Sequence, residues 1–113
     1  GQLGTISSSR RYKEDVDDMG DASRRLLQLR PVTFRYTRSF ADGARPLQYG
    51  LIAEEVAEVF PELAVSNAEG SPETVKYQDL SVLLLNEVQK LHRQVQALTG
   101  EIAGLRHELA GDR

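Results

Sequence analysis

Three consecutive serines shortly ahead of a lysine are the residues of this chain with the most evident chemical use. Ser7, Ser8 and Ser9 precede Lys13 near the start of the 113 residues. An unprotonated lysine can accept the proton of a serine hydroxyl, which turns the serine into a nucleophile for acyl transfer. The spacing therefore allows a Ser-Lys dyad, although serine-rich stretches of this kind are more often linkers without chemistry.

Other catalytic and metal-binding chemistries find little support in the residue types. The chain has no cysteine, which excludes thiolate metal sites and cysteine nucleophiles. Its two histidines, His92 and His107, lie far from the serines, so neither a Ser-His-Asp triad nor a histidine-built zinc site is expected. Asp15, Asp17 and Asp18 lack the glycine and the distal glutamate of a calcium loop. We expect a solvated acidic turn there, and neither a metal nor a cofactor in the chain.

Charge and composition exclude several classes of protein. The chain has 17 acidic and 14 basic residues, and neither residues 1–78 nor residues 79–113 are strongly biased in charge. We therefore expect no nucleic-acid partner. A hydrophobic fraction of 40% is typical of a globular chain and not of a disordered tail. Because no apolar run approaches the roughly 18 residues of a membrane span, no membrane partner is expected either.

The strongest pattern among the elements that could position a site is a heptad repeat at the C-terminus. Apolar residues recur there in alternating steps of four and three, which predicts a coiled-coil helix over residues 79–113 with Asp79 as its N-cap. Glu101 and Arg106 occupy positions g and e, where parallel strands bring opposite charges together. The a positions are Val88, Val95, Ile102 and Leu109, and the d positions are Leu84, Leu91, Leu98 and Leu105.

The number of strands and the partner of this helix are less constrained by the repeat. Val and Ile at a with Leu at d favour two strands, whereas Leu85 at e widens the apolar face and favours three. The alternative to a coiled coil is an amphipathic helix that folds back on its own domain. A stripe confined to a and d is narrow for such packing, so self-association is the preferred interpretation.

Ahead of the long helix the patterns predict a small α+β head. A helix is expected over Asp21–Leu29, because Pro31 must end it. Alternating apolar and polar residues predict a strand over Val32–Tyr36, paired as a hairpin with a strand over Leu47–Ile52. A short helix over Ala53–Phe60 should follow. Further extended segments are expected at Gly1–Ile6, Leu63–Val65 and Thr74–Tyr77. The predicted core consists of Phe34, Tyr36, Leu51, Ile52, Val56 and Phe60.

Four blocks of the sequence, in the order in which they occur, resemble one known family. Residues 8–14 read SSRRYKE, like the pattern S-(D/S)-x-R-x-K-(E/D), and residues 26–36 include LQLRPVTFRY, like L-x-L-x-P-V-x-F-x-Y. Residues 50–56 read GLIAEEV, followed by FPEL, and residues 75–80 read VKYQDL, like V-x-Y-x-x-L. Together the blocks resemble the intramolecular chaperone auto-processing domain of phage endosialidases and tail spikes, a copy of which occurs in myelin regulatory factor.

This resemblance implies a function and a set of site residues. Domains of this family trimerise at the end of a longer, usually β-rich fibre protein, help the upstream chains to fold, and then cut themselves off. By the resemblance, Ser8 is the nucleophile, Lys13 is the base, and cleavage falls between Ser7 and Ser8. The chain has Ser9 where aspartate is common in the family. The implied location is a virion tail fibre or spike, or a prophage-derived bacterial protein, from which the domain is released.

The same resemblance implies a division of the chain and its partners. Residues 1–7 would be the end of the upstream fibre segment, residues 8–78 the α+β head, and residues 79–113 the coiled-coil helix. The chain begins with Gly1 and not with Met, so we expect a piece of a longer protein. The expected partners are two further copies of the chain, in a homotrimer, and the upstream fibre region. A non-cleaving trimeric cap and an unrelated coiled-coil interaction module stay as alternatives.

Overall fold

The computed structural model describes residues 8–111, and they form an α+β head from which one long helix extends. The described part measures 72 × 41 × 27 Å. The extended segment predicted at Gly1–Ile6 lies outside the described residues. Residues 8–111 contain two α-helices, α1 (Ala53–Val59) and α2 (Tyr77–Gly111). They also contain three 3-10 helices (Arg10–Tyr12, Gly20–Gln28 and Pro61–Leu63) and four strands, β1 (Val32–Phe34), β2 (Gln48–Gly50), β3 (Ala64–Ser66) and β4 (Pro72–Val75).

The predicted hairpin is confirmed, but its strands are shorter than the sequence pattern indicates. β1 and β2 are antiparallel, with Val32 opposite Gly50. Beyond Phe34 the backbone carbonyls are taken by side chains. The Nε of Arg35 donates to the carbonyl of Arg45, and the Nε of Arg45 donates to the carbonyl of Tyr36, both at 3.0 Å. These guanidinium groups replace the backbone pairing that would have extended the strands.

A second hairpin and α1 form the other half of the head. β3 and β4 are antiparallel, with an irregularity between Val65 and Ser66, where Pro72 of the opposite strand has no N–H to donate. The helix predicted at Ala53 is confirmed and ends at Val59, because Pro61 begins a 3-10 turn two residues later. α1 packs against both strands of this hairpin.

The long helix begins earlier than predicted. The N–H of Leu80 donates to the carbonyl of Lys76 at 3.1 Å, so the helix starts at Tyr77. The prediction of Asp79 as N-cap is therefore wrong, and Asp79 lies in the first turn, where a carboxylate is still favourable next to the helix dipole. No helix within residues 8–111 is long and apolar enough to cross a membrane.

The core lies between α1, the second hairpin and the Gly20–Gln28 helix, and not around the first hairpin. The predictions for Val56 and Phe60 are confirmed, whereas the side chain of Tyr36 is 55% exposed and that of Phe34 is only partly buried. Those two rings contact each other edge to face beside the first hairpin, with their centroids 5.1 Å apart. The buried residues are Leu26, Val56, Phe60, Leu63 and Val75.

Two ion pairs connect the Gly20–Gln28 region to α1 and its following turn. Arg25 binds Glu62 and also lies over the ring of Phe60, 4.2 Å from its centroid. Arg30 contacts Glu55 through two hydrogen bonds. The guanidinium groups lower the pKa of both carboxyls below their ordinary values. These pairs are solvent-exposed, so they orient the elements more than they stabilise them.

Candidate functional site

A single 3-10 turn separates the two residues of the predicted dyad. Ser8 lies two residues before the turn Arg10–Tyr12, and Lys13 follows directly after it. Ser9 is the N-cap, and its Oγ accepts from the N–H of Arg11 at 3.4 Å. The N–H of Lys13 closes the other end by donating to the carbonyl of Arg10 at 3.0 Å. The family-like residues around Ser9 therefore form a compact turn with the serine and the lysine on either side.

The environment of this turn is open in the single chain. The side chains of residues 8–18 are all exposed. Within the described residues no hydrogen bond joins Ser8 to Lys13, and Ser7, on the other side of the predicted cleavage bond, lies outside them. Arg11 contacts the neighbouring ring of Tyr12, 4.8 Å from its centroid. One chain thus holds the two groups near each other along the sequence without bringing them into contact.

The acidic stretch after the turn changes the direction of the chain. Asp15 adopts a φ of 55°, in the left-handed region that aspartate tolerates better than most residues. Asp17 and Asp18 follow it as exposed side chains. Among residues 8–111, no group of three or more histidine, cysteine or carboxylate side chains is placed to hold a metal ion.

The a and d positions of α2 form an exposed apolar stripe. From Leu84 to Leu109 the eight side chains at these positions are between 44% and 71% exposed. From Leu91 to Gly111 every residue of the helix is exposed. The alternative of a helix folded back along its own head is therefore not what the structure shows. A contiguous apolar stripe of this length on a surface is typical of an interaction face.

The head packs on the other side of the same helix. The buried or partly buried residues of α2 are Leu80, Leu83, Asn86, Glu87 and Lys90, which fall at heptad positions c, f and g. They contact the Gly20–Gln28 helix and the Pro61–Leu63 turn. Because the head covers only this side, the a and d positions stay accessible along the entire helix.

A buried polar group joins the Gly20–Gln28 helix to α2. The side chain of Ser23 is fully buried, and its Oγ donates to a carboxylate oxygen of Glu87 at 2.7 Å. Asn86 donates through Nδ2 to the hydroxyl of Ser23 and to the backbone carbonyl of Gly20, both at 2.8 Å. The Glu87 residue itself is only 5% exposed. These contacts bridge residues that are more than sixty positions apart in the sequence.

Lys90 completes this group, which we call the Glu87 cluster (Asp21, Ser23, Asn86, Glu87 and Lys90). Its Nζ lies 2.8 Å from Glu87 and 2.7 Å from Asp21. The hydrogen bond from Lys90 lowers the pKa of both carboxyls, and the two carboxylates raise the pKa of Lys90. Sequence reasoning missed the cluster, because positions c, f and g of a heptad are normally solvated. Only the tertiary packing makes them a buried site.

An open apolar groove of about 650 Å³ lies between the first hairpin, the Gly20–Gln28 helix and the start of α2. At its edge the N–H of Leu51 donates to the hydroxyl of Tyr77 at 3.1 Å. A Cβ at Gly50 would stand 3.0 Å from that hydroxyl and 3.3 Å from the ring of Phe34, so a side chain at this position would require one of these groups to shift. Two of the four sequence blocks, GLIAEEV and VKYQDL, therefore meet at one contact.

Comparison with known proteins agrees with the first three sequence blocks and does not extend to the fourth, at residues 75–80. A family model that is named as a peptidase and described as chaperone of endosialidase matches residues 8–65. The match begins at Ser8 and includes Lys13, the first hairpin and α1. No curated protein matches the chain. Family membership supports a role as an intramolecular chaperone. On a match that covers just over half of its 113 residues, the chain belongs to the chaperone of endosialidase family.

Proposed function

We propose that the chain is the C-terminal chaperone domain of a phage-type tail fibre or spike protein. It assembles as a parallel homotrimer through α2 and then releases itself by cleavage between Ser7 and Ser8. Residues 1–7 belong to the upstream fibre, residues 8–78 form the head, and residues 79–113 form the coiled coil. The observation that carries the proposal is the exposed a/d stripe of α2, on the side of the helix that the head leaves accessible.

The energetics of α2 favour assembly. The part of the helix beyond the head would be marginally stable alone, and Gly100 and Gly104 each cost about 1 kcal/mol relative to alanine. Burying a large aliphatic side chain contributes about 1.5–3 kcal/mol, and eight such side chains lie on the stripe. The gain from burying the stripe therefore exceeds the cost of the two glycines several times over. Glu101 and Arg106 favour parallel strands, and Leu85 at position e favours three.

The chemistry of release is acyl transfer within the chain. The Oγ of Ser8 attacks the carbonyl carbon of Ser7, and the Nζ of Lys13 accepts the hydroxyl proton. The bond between that carbon and the nitrogen of Ser8 breaks, the nitrogen takes up a proton, and an ester to Oγ results. Water then hydrolyses the ester, which leaves a carboxylate on Ser7 and restores the hydroxyl of Ser8. No metal or cofactor takes part in these steps.

Assembly provides the conditions that the isolated site lacks. To act as a base, Lys13 has to lose its proton, which burial and nearby positive charge both promote. In the single chain Lys13 is exposed, so burial is what assembly would have to add. Three heads gathered around one coiled coil would cover the motif and exclude water. Cleavage would then follow trimer formation and report on it.

The test uses this chain, because it contains the bond between Ser7 and Ser8. Intact mass recorded over time should show a product that lacks the first seven residues, and light scattering should show a trimer. Ser8→Ala removes the nucleophile, and Lys13→Arg removes the base because guanidinium stays protonated. Both variants should stay whole. Ser9→Ala, the matched control, should cleave. Cleavage that persists in Ser8→Ala would refute the assignment of the nucleophile.

A permanent trimeric cap is the second candidate function. The observation in its favour is that Ser8 and Lys13 are exposed and not hydrogen-bonded to each other within the described residues. In that case the head and coiled coil would hold three upstream chains together without release. A wild-type trimer that keeps its full mass for days would favour the cap over the self-cleaving chaperone.

A further inference from the structure

We infer that the Glu87 cluster is a clamp between the Gly20–Gln28 helix and α2. It attaches the preceding cleavage segment (residues 8–19) to α2 at one fixed height along the helix. Asn86, Glu87 and Lys90 are thus positioning residues for the reaction at Ser8, although none of them touches it. The inference rests on the proposed function for its catalytic consequence. The docking itself can be tested without any cleavage.

The cleavage segment is first attached to the rest of the described chain at Gly20. From Arg10 onwards, the hydrogen bonds of the described chain are local until the carbonyl of Gly20, which accepts from Asn86 at 2.8 Å. The side chains from Arg10 to Asp18 are exposed throughout. Gly20 is seven positions after Lys13, and an extended chain spans at most about 3.5 Å per residue. Because the clamp holds Gly20 on α2, Lys13 can lie at most about 25 Å from that attachment point.

The clamp is a buried polar contact in which every buried side-chain group has a hydrogen-bond partner. Ser23 is fully buried, and its hydroxyl both donates to Glu87 and accepts from Asn86. Among the described residues no buried side-chain nitrogen or oxygen lacks a hydrogen-bond partner. A slide by one helical turn, about 5.4 Å, would separate these partners and leave buried polar groups unsatisfied. Apolar packing alone tolerates such slides, whereas a saturated polar network specifies one register.

The clamp lies beside the first turns of the apolar stripe on α2. Asn86, Glu87 and Lys90 occupy the same two turns as Leu84, Val88 and Leu91 of the a/d stripe, on the adjoining side of the helix. Whatever fixes the stripe in an assembly also fixes the clamp. The three cleavage segments would then be held at equal heights around the coiled coil.

The experiment compares Asn86→Ala and Glu87→Gln with the wild-type chain. Glu108→Gln is the matched control, because it removes the same charge from the same heptad position at an exposed site. Amide hydrogen exchange is measured over residues 20–28 and over α1, trypsin cleavage is measured after Arg24 in the clamped helix, and self-cleavage is followed by intact mass. All measurements are made at a temperature where circular dichroism shows each variant folded and light scattering shows the same oligomer as the wild type.

In both cluster variants we expect exchange over residues 20–28 to accelerate about tenfold, with α1 unchanged, since a local opening breaks one to three hydrogen bonds. Trypsin cleavage after Arg24 should accelerate because the clamped helix opens locally, and self-cleavage should slow about tenfold because the attachment point of the cleavage segment is no longer fixed. Glu87→Asp, which keeps the carboxylate, should recover part of the rate. A purely structural role predicts the wild-type rate in fully folded protein.

Two results would overturn the inference. Unchanged exchange over residues 20–28 would show that the cluster does not dock the segment. Faster exchange with an unchanged self-cleavage rate would show that docking does not position the reaction. A wild-type chain that never cleaves would refute the proposed cleavage and not the clamp, because exchange and trypsin sensitivity would still decide whether the clamp exists.

Discussion

The head and the distal half of α2 obtain their stability from different sources. The head buries five apolar side chains and connects its elements with hydrogen bonds inside the same chain. From Leu91 to Gly111 the helix buries nothing, and its apolar side chains are exposed. The head is therefore a fold that one chain can specify, whereas the proposed coiled coil would need further chains to cover the apolar side chains of the helix. Three substitutions, each with its control or partner variant, and one change of pH test this difference.

The largest effect is expected at the centre of the stripe. Leu98→Glu would place an unpaired charge in the seam, at a cost on the order of several kcal/mol per assembly. The molar mass from light scattering should fall to that of a monomer. The melting of the head should persist in the variant, because no residue of the head contacts this turn.

Gln96→Glu is the control for this substitution, since it adds the same charge to the outer side of the helix at position b. It should leave the trimer intact. A wild-type chain that is monomeric at tens of micromolar would contradict the coiled coil, and a dimer would support the coiled coil but count against the trimeric family architecture.

The next largest effect is expected inside the head. Leu63 is 2% exposed, so Leu63→Ala should destabilise the head by about 2–5 kcal/mol. Chemical denaturation monitored by tyrosine fluorescence measures this change. Leu27→Ala, at a residue that is 62% exposed, is the matched control and should change stability little. Equal effects of the two substitutions would contradict the core described above.

A smaller effect is expected where the two sequence blocks meet. Gly50→Ala forces a methyl group against the hydroxyl of Tyr77 and should cost about 1–3 kcal/mol. Tyr77→Phe removes that hydroxyl and leaves the N–H of Leu51 without its partner. The double variant should be less destabilised than the sum of the two single variants, because the clash needs both groups. Strict additivity in thermal melts would show that the hydroxyl is not what excludes a side chain at residue 50.

The sequence predicts local structure well and predicts burial poorly. Pro31 and Pro61 mark helix ends, and alternation marks the first hairpin, so the residue types alone place these elements. The alternation of Phe34 and Tyr36 also suggested a core, but a half-buried pattern only requires some cover on one side. In the single chain Phe34 is only partly buried and Tyr36 is exposed, and the two rings contact each other edge to face.

The two parts of the site differ in the same way. Ser8 and Lys13 could be predicted because a short motif carries them. The Glu87 cluster could not be predicted, because its burial depends on which side of α2 the head covers. Glu87 at position g looks like an ordinary solvated residue in the sequence, and only the approach of Ser23 makes it buried.

The smallest effect is expected from pH, and it concerns the Glu87 cluster, which joins the head to α2. The carboxyls of Asp21 and Glu87 have pKa values below their ordinary 3.8 and 4.5, mainly because Lys90 donates a hydrogen bond to each. A lowered pKa in the folded state means that the stabilisation is present above the ordinary value and is lost as pH falls through the lowered one. The raised pKa of Lys90 means that its share is lost only above about 10.5.

The stability of the head should therefore be flat between about pH 5 and pH 10 with respect to this cluster, and should fall below about pH 4. Glu55 and Glu62 also have lowered pKa values, so the wild-type curve alone does not isolate the cluster. The difference between the wild type and Glu87→Gln does isolate it, because the glutamine does not titrate. That difference in melting temperature should be largest near neutral pH and should shrink in acid as Glu87 itself becomes protonated. A difference that stays constant down to pH 2 would show that Glu87 contributes through shape alone and not through its charge.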